Sequence, residues 1–241
     1  MPGPVNRTRL ARVDGWWTWL GARLCPPRCL ACAEAAVPGT DLCAACAAAL
    51  PWNAAACARC AMPLPVAAEA CGACLQRPPP LQAAHAAFRY AAPVDRLLPR
   101  FKFHRDLAAG RLLAEAMAGR FGALPRPDAL LAVPLHPSRL RRRGYDQALE
   151  LARPLAAALE LPLLTGALVR ARATRPQSEL DAAGRRRNLR GAFTVARQPL
   201  PAHVVLVDDV MTTGATLHAA ATALRRAGVA RVEAWVCARV P

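Results

Sequence analysis

The stretch VVLVDDVMTTGAT, Val204 to Thr216, opens on an apolar run, passes through two adjacent acids and closes on a loop of Thr and Gly. A Val/Leu run with no polar alternation suits a strand buried on both faces, as strands of parallel sheets are. The residues that follow, TLHAAATALRRAG (Thr216 to Gly228), read as a helix closed by Gly228. Strand, loop and helix start in that order gather backbone N–H groups and the positive end of a helix dipole, an anion site suited to a monophosphate. Gly214 permits close approach and unusual dihedrals. Asp208 and Asp209 cannot serve an anion, so they address something attached to it, and neighbouring carboxylates accept hydrogen bonds from vicinal hydroxyls. A sugar phosphate, with a diol on one side and a phosphate on the other, meets both demands. No P-loop lysine follows the glycine, which weighs against an ordinary nucleoside triphosphatase.

Outward from this stretch, strands alternate with helical segments from about residue 85. AAHAAFRY (Ala83 to Tyr90), ALLAVPL (Ala129 to Leu135) and RVEAWVCARV (Arg231 to Val240) read as further strands, with Cys237 a small core residue of the last. VDRLLPRFKFHRDLAAGRLLAEAMAGRF (Val94 to Phe121) carries Leu107, Leu112, Leu113 and Met117 at helical spacing. YDQALELARPLAAALE (Tyr145 to Glu160) places Leu149, Ala152, Leu155, Ala156 and Leu159 on one face, with Pro154 predicting a kink or a shorter helix. The order implies an α/β fold: a mostly parallel sheet with helices on both faces. Ligands of such folds bind beyond the carboxyl ends of the strands, where Asp208 and Asp209 lie.

The front of the chain differs. Eight cysteines form a repeat, Cys29-x2-Cys32-x10-Cys43-x2-Cys46 and Cys57-x2-Cys60-x10-Cys71-x2-Cys74, its halves offset by 28 residues. A Cys-x-x-Cys turn aims two sulfurs at one ion, and two such turns complete a tetrahedral zinc shell, so two structural zinc sites are expected. Sequential pairing would put each half around its own ion, and an interleaved arrangement, first pair with third, fits the same spacing. A disulfide framework would need an oxidising compartment, which the N-terminus gives no reason to expect. Cys25 is a ninth thiol near the first half, read as a packing residue. Eight thiolates with two divalent ions sum to about −4, which points to a scaffold or a protein-docking role rather than to a duplex-gripping finger. Residues 76–84, with Pro78, Pro79 and Pro80, read as a boundary, so the expected organisation is a segment 1–24, a zinc-ribbon module 25–78 and an α/β domain 85–241.

The net charge is +16, and only Lys102 among the 32 basic residues is a lysine. Residues 85–241 hold 25 basic and 12 acidic groups, whereas residues 25–84 hold three of each. The surplus therefore lies with the acid pair and its loop, where it attracts phosphates of a nucleotide or of a nucleic acid. No run of about 18 strongly apolar residues suggests a membrane span, and the N-terminus lacks a signal-peptide core, so a cytoplasmic protein is expected. Trp16, Trp17, Trp19 and Leu20 form either a docking patch or part of the protein's own packing.

VVLVDDVMTTGAT resembles the phosphoribosyl pyrophosphate (PRPP) motif of type I phosphoribosyltransferases. LLAVPLHPSRLRRRGYDQALELA (Leu130 to Ala152), RATRPQSELDAAGRRRNLRGAF (Arg172 to Phe193) and the cysteine repeat narrow the resemblance to the ComF family of competence-associated proteins. The resemblance implies a double zinc ribbon ahead of a phosphoribosyltransferase-like domain. It implies that Asp208 and Asp209 face the ribose 2′ and 3′ hydroxyls and that PRPP is bound across Asp208, Asp209, Val210, Met211, Thr212, Thr213, Gly214, Ala215 and Thr216, with the 5′-phosphate on Met211 to Thr216. Arg139, Arg141, Arg142 and Arg143 stand where such enzymes carry a pyrophosphate loop. Arg175, Gln177, Arg185, Arg186, Arg187 and Asn188 resemble their flexible lid. His136, beside the first loop, is read as structural, with donation to substrate the other role open to it. Departure of pyrophosphate from C1′, shielded by Mg²⁺, would leave an oxocarbenium-like centre for an acceptor that the chain does not disclose. The family implies a second role beside transferase chemistry: handling of single-stranded DNA, or contact with a helicase, during DNA uptake. One departure is visible, Asp146 in RGYDQ where Asn is expected.

Overall fold

The computed structural model of the chain describes residues 27–171, 191–196 and 199–241. Its centre is the quoted stretch. Strand β5 (His203–Met211) pairs in parallel with β2 (Ala129–Ala132) on one side and with β6 (Arg231–Arg239) on the other, and β1 (Ala83–Arg89) lies beyond β6. All four strands are parallel, in the order β1-β6-β5-β2. A separate antiparallel pair joins β3 (Leu168–Arg170) to β4 (Phe193–Val195).

Both faces of the sheet are covered, which is why β5 and β6 read as nearly unbroken apolar runs. On one face Val232, Ala234 and Val236 share a core with Leu217, Ala220 and Leu224 of helix α7 (Ala215–Arg226). On the other, Trp235 packs on Phe121 of helix α4 (Leu107–Phe121), with ring centroids 5.1 Å apart.

The stretch expected as one helical segment over 94–121 is two helices. Helix α3 (Val94–Phe103) ends at His104, Arg105 takes a left-handed φ of 57°, and Asp106 caps α4 by accepting from the Ala109 N–H at 3.0 Å. Asp106 also holds Arg100 at 2.6 Å, so a charged turn that reads as one solvated helix face is a corner. Leu113 and Met117 are buried as expected, but Leu107, in the first turn of α4, is exposed. Helix α6 (Gln147–Ala158) runs through Pro154 without ending. Its seam is Ala148, Leu151, Ala152, Leu155 and Ala156, with Leu149 and Leu159 only half-buried, and its packing on α4 and β5 offsets a proline cost of about 3 kcal/mol.

The chain divides into two compact units, Met1–Ala49 and Leu50–Pro241. The described part of the first holds the first half of the cysteine repeat and helix α1 (Ala44–Ala48). The second half of the repeat, with helix α2 (Gly72–Gln76), packs into the α/β unit. Residues 51–58 run along the outer edge of β1: Asn53 N–H donates to the Ala87 carbonyl at 3.0 Å, Arg89 N–H to Pro51 at 2.8 Å, and the rings of Trp52 and Phe88 lie 4.7 Å apart. An edge strand is thereby closed to foreign pairing. Among the described residues no helix is long and apolar enough to cross a membrane.

Trp235 is 1% exposed, so Trp235→Ala should cost about 3–5 kcal/mol in urea unfolding followed by circular dichroism.

Candidate functional site: two thiolate cages and an acid pair at the sheet end

The eight repeated cysteines form two cages, each from one half of the repeat: Cys29, Cys32, Cys43 and Cys46, then Cys57, Cys60, Cys71 and Cys74, with ligand sulfurs within 4.8 Å of one another. The pairing is sequential. A tetrahedron with Zn–S bonds of about 2.3 Å has edges of about 3.8 Å. The Cys32–Cys43 and Cys60–Cys71 sulfurs stand 3.7 Å apart, so both cages fit zinc. The repeat extends to the backbone. Ala33 and Ala61 both take a left-handed φ, of 66° and 55°, and each donates its N–H back to the first cysteine of its half, at 2.8 Å in both cases. Cys43 and Cys71 occupy the N-cap positions of α1 and α2. The Cys74 N–H aimed at its sulfur, and then the neighbouring cysteine side chains, hold the Cys71 thiol down to about 7. Four thiolates this close are ionised together only around a cation. Cys25 lies outside the described residues. Cys237 is fully buried in β6, and its thiol is pushed up by desolvation first, as befits a core residue.

At the opposite end of the chain β5 carries the acids. Consecutive strand side chains point to opposite faces, which separates Asp208 from Asp209 despite their adjacency. Asp209 is 7% exposed, and its Oδ2 meets Lys102 Nζ of α3 at 2.7 Å. Asp209 N–H donates to Asp208 Oδ1 at 2.9 Å, and Val210 N–H to Asp209 Oδ1 at 2.7 Å. Burial, and then the neighbouring Asp209, push the Asp208 carboxyl up to about 8. After Met211 the chain turns through Thr212 and Thr213 to Gly214, which starts α7 at φ 74° with no side-chain cap. The φ of 74° at Gly214 strains any residue with a Cβ, and a Cβ there would also displace the side-chain ends of Met211 (Cε at 2.6 Å) and His218 (Nε2 at 2.9 Å). Thr213 Oγ1 accepts from the Ala215 N–H at 3.4 Å.

Asp208, Asp209, Val210 and Thr216 line a cavity of about 210 Å³ together with Lys102, Arg139, Arg143, Asp146 and Arg170. Arg139 and Arg143 come from α5 (Pro137–Arg143), a helix where a loop was expected. Its phase turns these two inward at an i, i+4 spacing and leaves Arg141 and Arg142 exposed, so Arg142 does not join the cavity. Arg143 donates to Gln147 Oε1 at 2.8 Å and lies over the Phe103 ring. His136 caps α5 through Nδ1, which accepts from the Ser138 N–H at 3.2 Å, a structural role. Asp146 Oδ2 accepts from the Leu135 N–H at 3.0 Å and its Oδ1 from the Leu149 N–H at 3.2 Å, pinning the β2 exit to the start of α6; an Asn, with a single acceptor oxygen, could keep only one of the two bonds in this geometry. Lys102 and Arg170 were not foreseen. Arg170 is 4% exposed on β3, and desolvation and then Arg139 pull its guanidinium down to about 10. Arg175, Gln177, Arg185, Arg186, Arg187 and Asn188 lie outside the described residues. Thr213 and Ala215 line a second, larger cavity of about 1010 Å³ with Cys60, Cys71, Phe193, His218 and Arg239, and among the described residues no carboxylate lines it. Among the described residues, three carboxylates meet four cations in the smaller space.

A family model of a double zinc ribbon domain matches residues 21–75, and one of a phosphoribosyl transferase domain matches residues 145–241. The chain is 40% identical over 171 residues to the DNA utilization protein YhgH of Salmonella typhi, covering 68% of this chain and 75% of that protein. It is 38% identical over 159 residues to Competence protein F of Haemophilus influenzae, covering 62% and 69%. It is 27% identical over 155 residues to Competence protein ComFC of Streptococcus pneumoniae, covering 64% and 67%.

Two measurements check this geometry. Atomic absorption on the purified chain should find about two zinc ions, one per cage, and substituting two cysteines of one cage should lower that to about one. Asp208 holds its proton to about pH 8 in the folded chain, against an ordinary 3.8, so the folded state binds more protons across that window. Stability should fall as pH rises from about 4 to about 8. Asp208→Asn should flatten this fall and leave the variant the more stable at pH 9 by thermal denaturation, with the difference closing toward pH 4.

Proposed function

The chain belongs to the ComF family of competence-associated proteins, and on that premise we propose that it binds PRPP at the carboxyl end of β5 and transfers its phosphoribosyl group to an acceptor. One observation carries the reading: an acid pair lies near the carboxyl end of a buried parallel strand and is followed, five residues after Asp209, by the left-handed glycine that starts a helix. Asp208 and Asp209 would accept from the ribose 2′ and 3′ hydroxyls. Backbone N–H groups from Thr212 to Thr216 would hold the 5′-phosphate. Arg139, Arg143 and Arg170 surround the same small cavity and suit the pyrophosphate. Mg²⁺ held by the acids and the pyrophosphate would screen charge on the leaving group. Breaking the C1′–O bond expels pyrophosphate, and the acceptor supplies the electron pair that replaces it. Buried cations fixed before the reaction supply the stabilisation, so no nucleophilic triad is required.

The second reading is handling of single-stranded DNA, alone or with a helicase, in which the pocket acts without turnover. It is favoured by the names of the relatives and by the 25 basic against 12 acidic residues from residue 85 onward.

Calorimetric titration with PRPP and Mg²⁺ tests the first reading. The wild type should bind, and Asp208→Asn/Asp209→Asn should weaken binding by about 100-fold or more, the loss of two charge-assisted contacts. Sugar hydroxyls favour the ionised Asp208, so affinity should rise with pH up to about 8 and level off above it. No heat and no thermal shift from the wild type would sink the reading. DNA binding, if present, should fall steeply between 50 and 200 mM salt while PRPP binding falls less.

A further inference from the structure

Arg239 closes β6 and is 5% exposed, one of the few charged side chains buried in the α/β unit. Its guanidinium donates in two directions. Nε donates to the carbonyl of Cys60 at 3.0 Å, inside the second thiolate cage. Nη1 donates to the carbonyl of Met211 at 3.1 Å and to that of Val240. Met211 is the last residue of β5 before the turn, and its carbonyl also accepts from the Val240 N–H at 3.0 Å. Its methyl end lies 2.6 Å from where a Gly214 Cβ would be. One planar cation thus ties a cage ligand to the residue that seats the turn. With four thiolates around a divalent ion the cage carries about −2, which suits a guanidinium beside it.

We propose that Arg239 is a positioning residue that couples the second thiolate cage to the anion loop, so that ion loss from Cys57, Cys60, Cys71 and Cys74 loosens Thr212–Thr216 and weakens their hold on a phosphate. The phosphate half of this rests on the sugar-phosphate reading above; the mechanical half does not. An arginine is required because its rigid fork spans the Cys60 and Met211 carbonyls, whereas a lysine ammonium on a flexible stem cannot hold both in one geometry. The cage then serves more than the stability of its own loop. It is part of what keeps the phosphate seat in shape.

Hydrogen exchange on the full, zinc-loaded chain tests the coupling without any ligand. In Arg239→Ala and Arg239→Lys the amides of Thr212 to Thr216 should exchange about tenfold faster than in the wild type, at unchanged zinc content. Arg231→Ala, at the far end of the same strand, should leave them unchanged. Chelating the zinc should accelerate the same amides in the wild type, and restoring Zn²⁺ should reverse this. In Arg239→Ala chelation should add little, because the link is already cut. If the alanine variant does not fold, the lysine variant decides. Wild-type exchange rates in the Arg239 variants, or an equal response to chelation with and without Arg239, would overturn the coupling. Titration with ribose 5-phosphate separates the two claims. Affinity should fall about tenfold in Arg239→Lys, whereas a wild type that ignores ribose 5-phosphate but shows the exchange pattern keeps the coupling and loses the sugar-phosphate reading.

Discussion

Two carboxylates on consecutive residues of a buried strand would repel each other and the low-dielectric core around them, and the Lys102–Asp209 contact is what makes them tolerable. Lys102 sits in the last turn of α3, and the corner at His104–Asp106 sets where that turn ends. With Asp209 paired, the electrostatic cost falls on Asp208, which keeps its proton near neutrality. A group held in that state gains from any partner that donates hydrogen bonds to it or brings a cation. The pair is therefore a site kept under electrostatic tension, and the sheet around it is rigid enough to maintain it.

The same sheet end supplies the rest. Parallel strands leave their carboxyl ends together, so the exit of β2 with α5, the acid pair of β5, Thr216 in the first turn of α7, and Arg170 on β3 converge on one small cavity. Asp146 pins the β2 exit, and Gly214 admits the close approach at the start of α7. The second thiolate cage belongs to this assembly through Arg239 and through its packing along β1. Its twin, built on the same spacing, lies in the other unit. Equal ligand spacing makes equal cages; the residues between and after the ligands, such as Trp52 and Asn53, decide what each cage packs against.

Much of this was legible in the residues, and the gaps have causes. The parallel sheet showed because strands buried on both faces leave long apolar runs, and the cages showed because Cys-x-x-Cys pairs at equal spacing have few other uses. The turn at Arg105 hid among charges that look like a solvated helix face. Helix α5 hid in an arginine run, although Pro137 at its start and Gly144, at φ 84°, just past its end mark a helix, and that phase would have separated Arg139 and Arg143 from Arg142. Arg170 gave no sign because it is one arginine of 31 on a three-residue strand. Lys102 did carry a hint, as the only lysine in the chain. Its partner is more than a hundred residues away, and no local pattern reports such a pairing.

The most direct test of the central claim is a crystal structure of the full chain soaked with PRPP and Mg²⁺. The account predicts ribose 2′ and 3′ hydroxyls within hydrogen-bond distance of Asp208 and Asp209, and the 5′-phosphate on the amides of Thr212 to Thr216. Sugar density elsewhere, or both carboxylates turned from the diol with Lys102 still closed on Asp209, would contradict it.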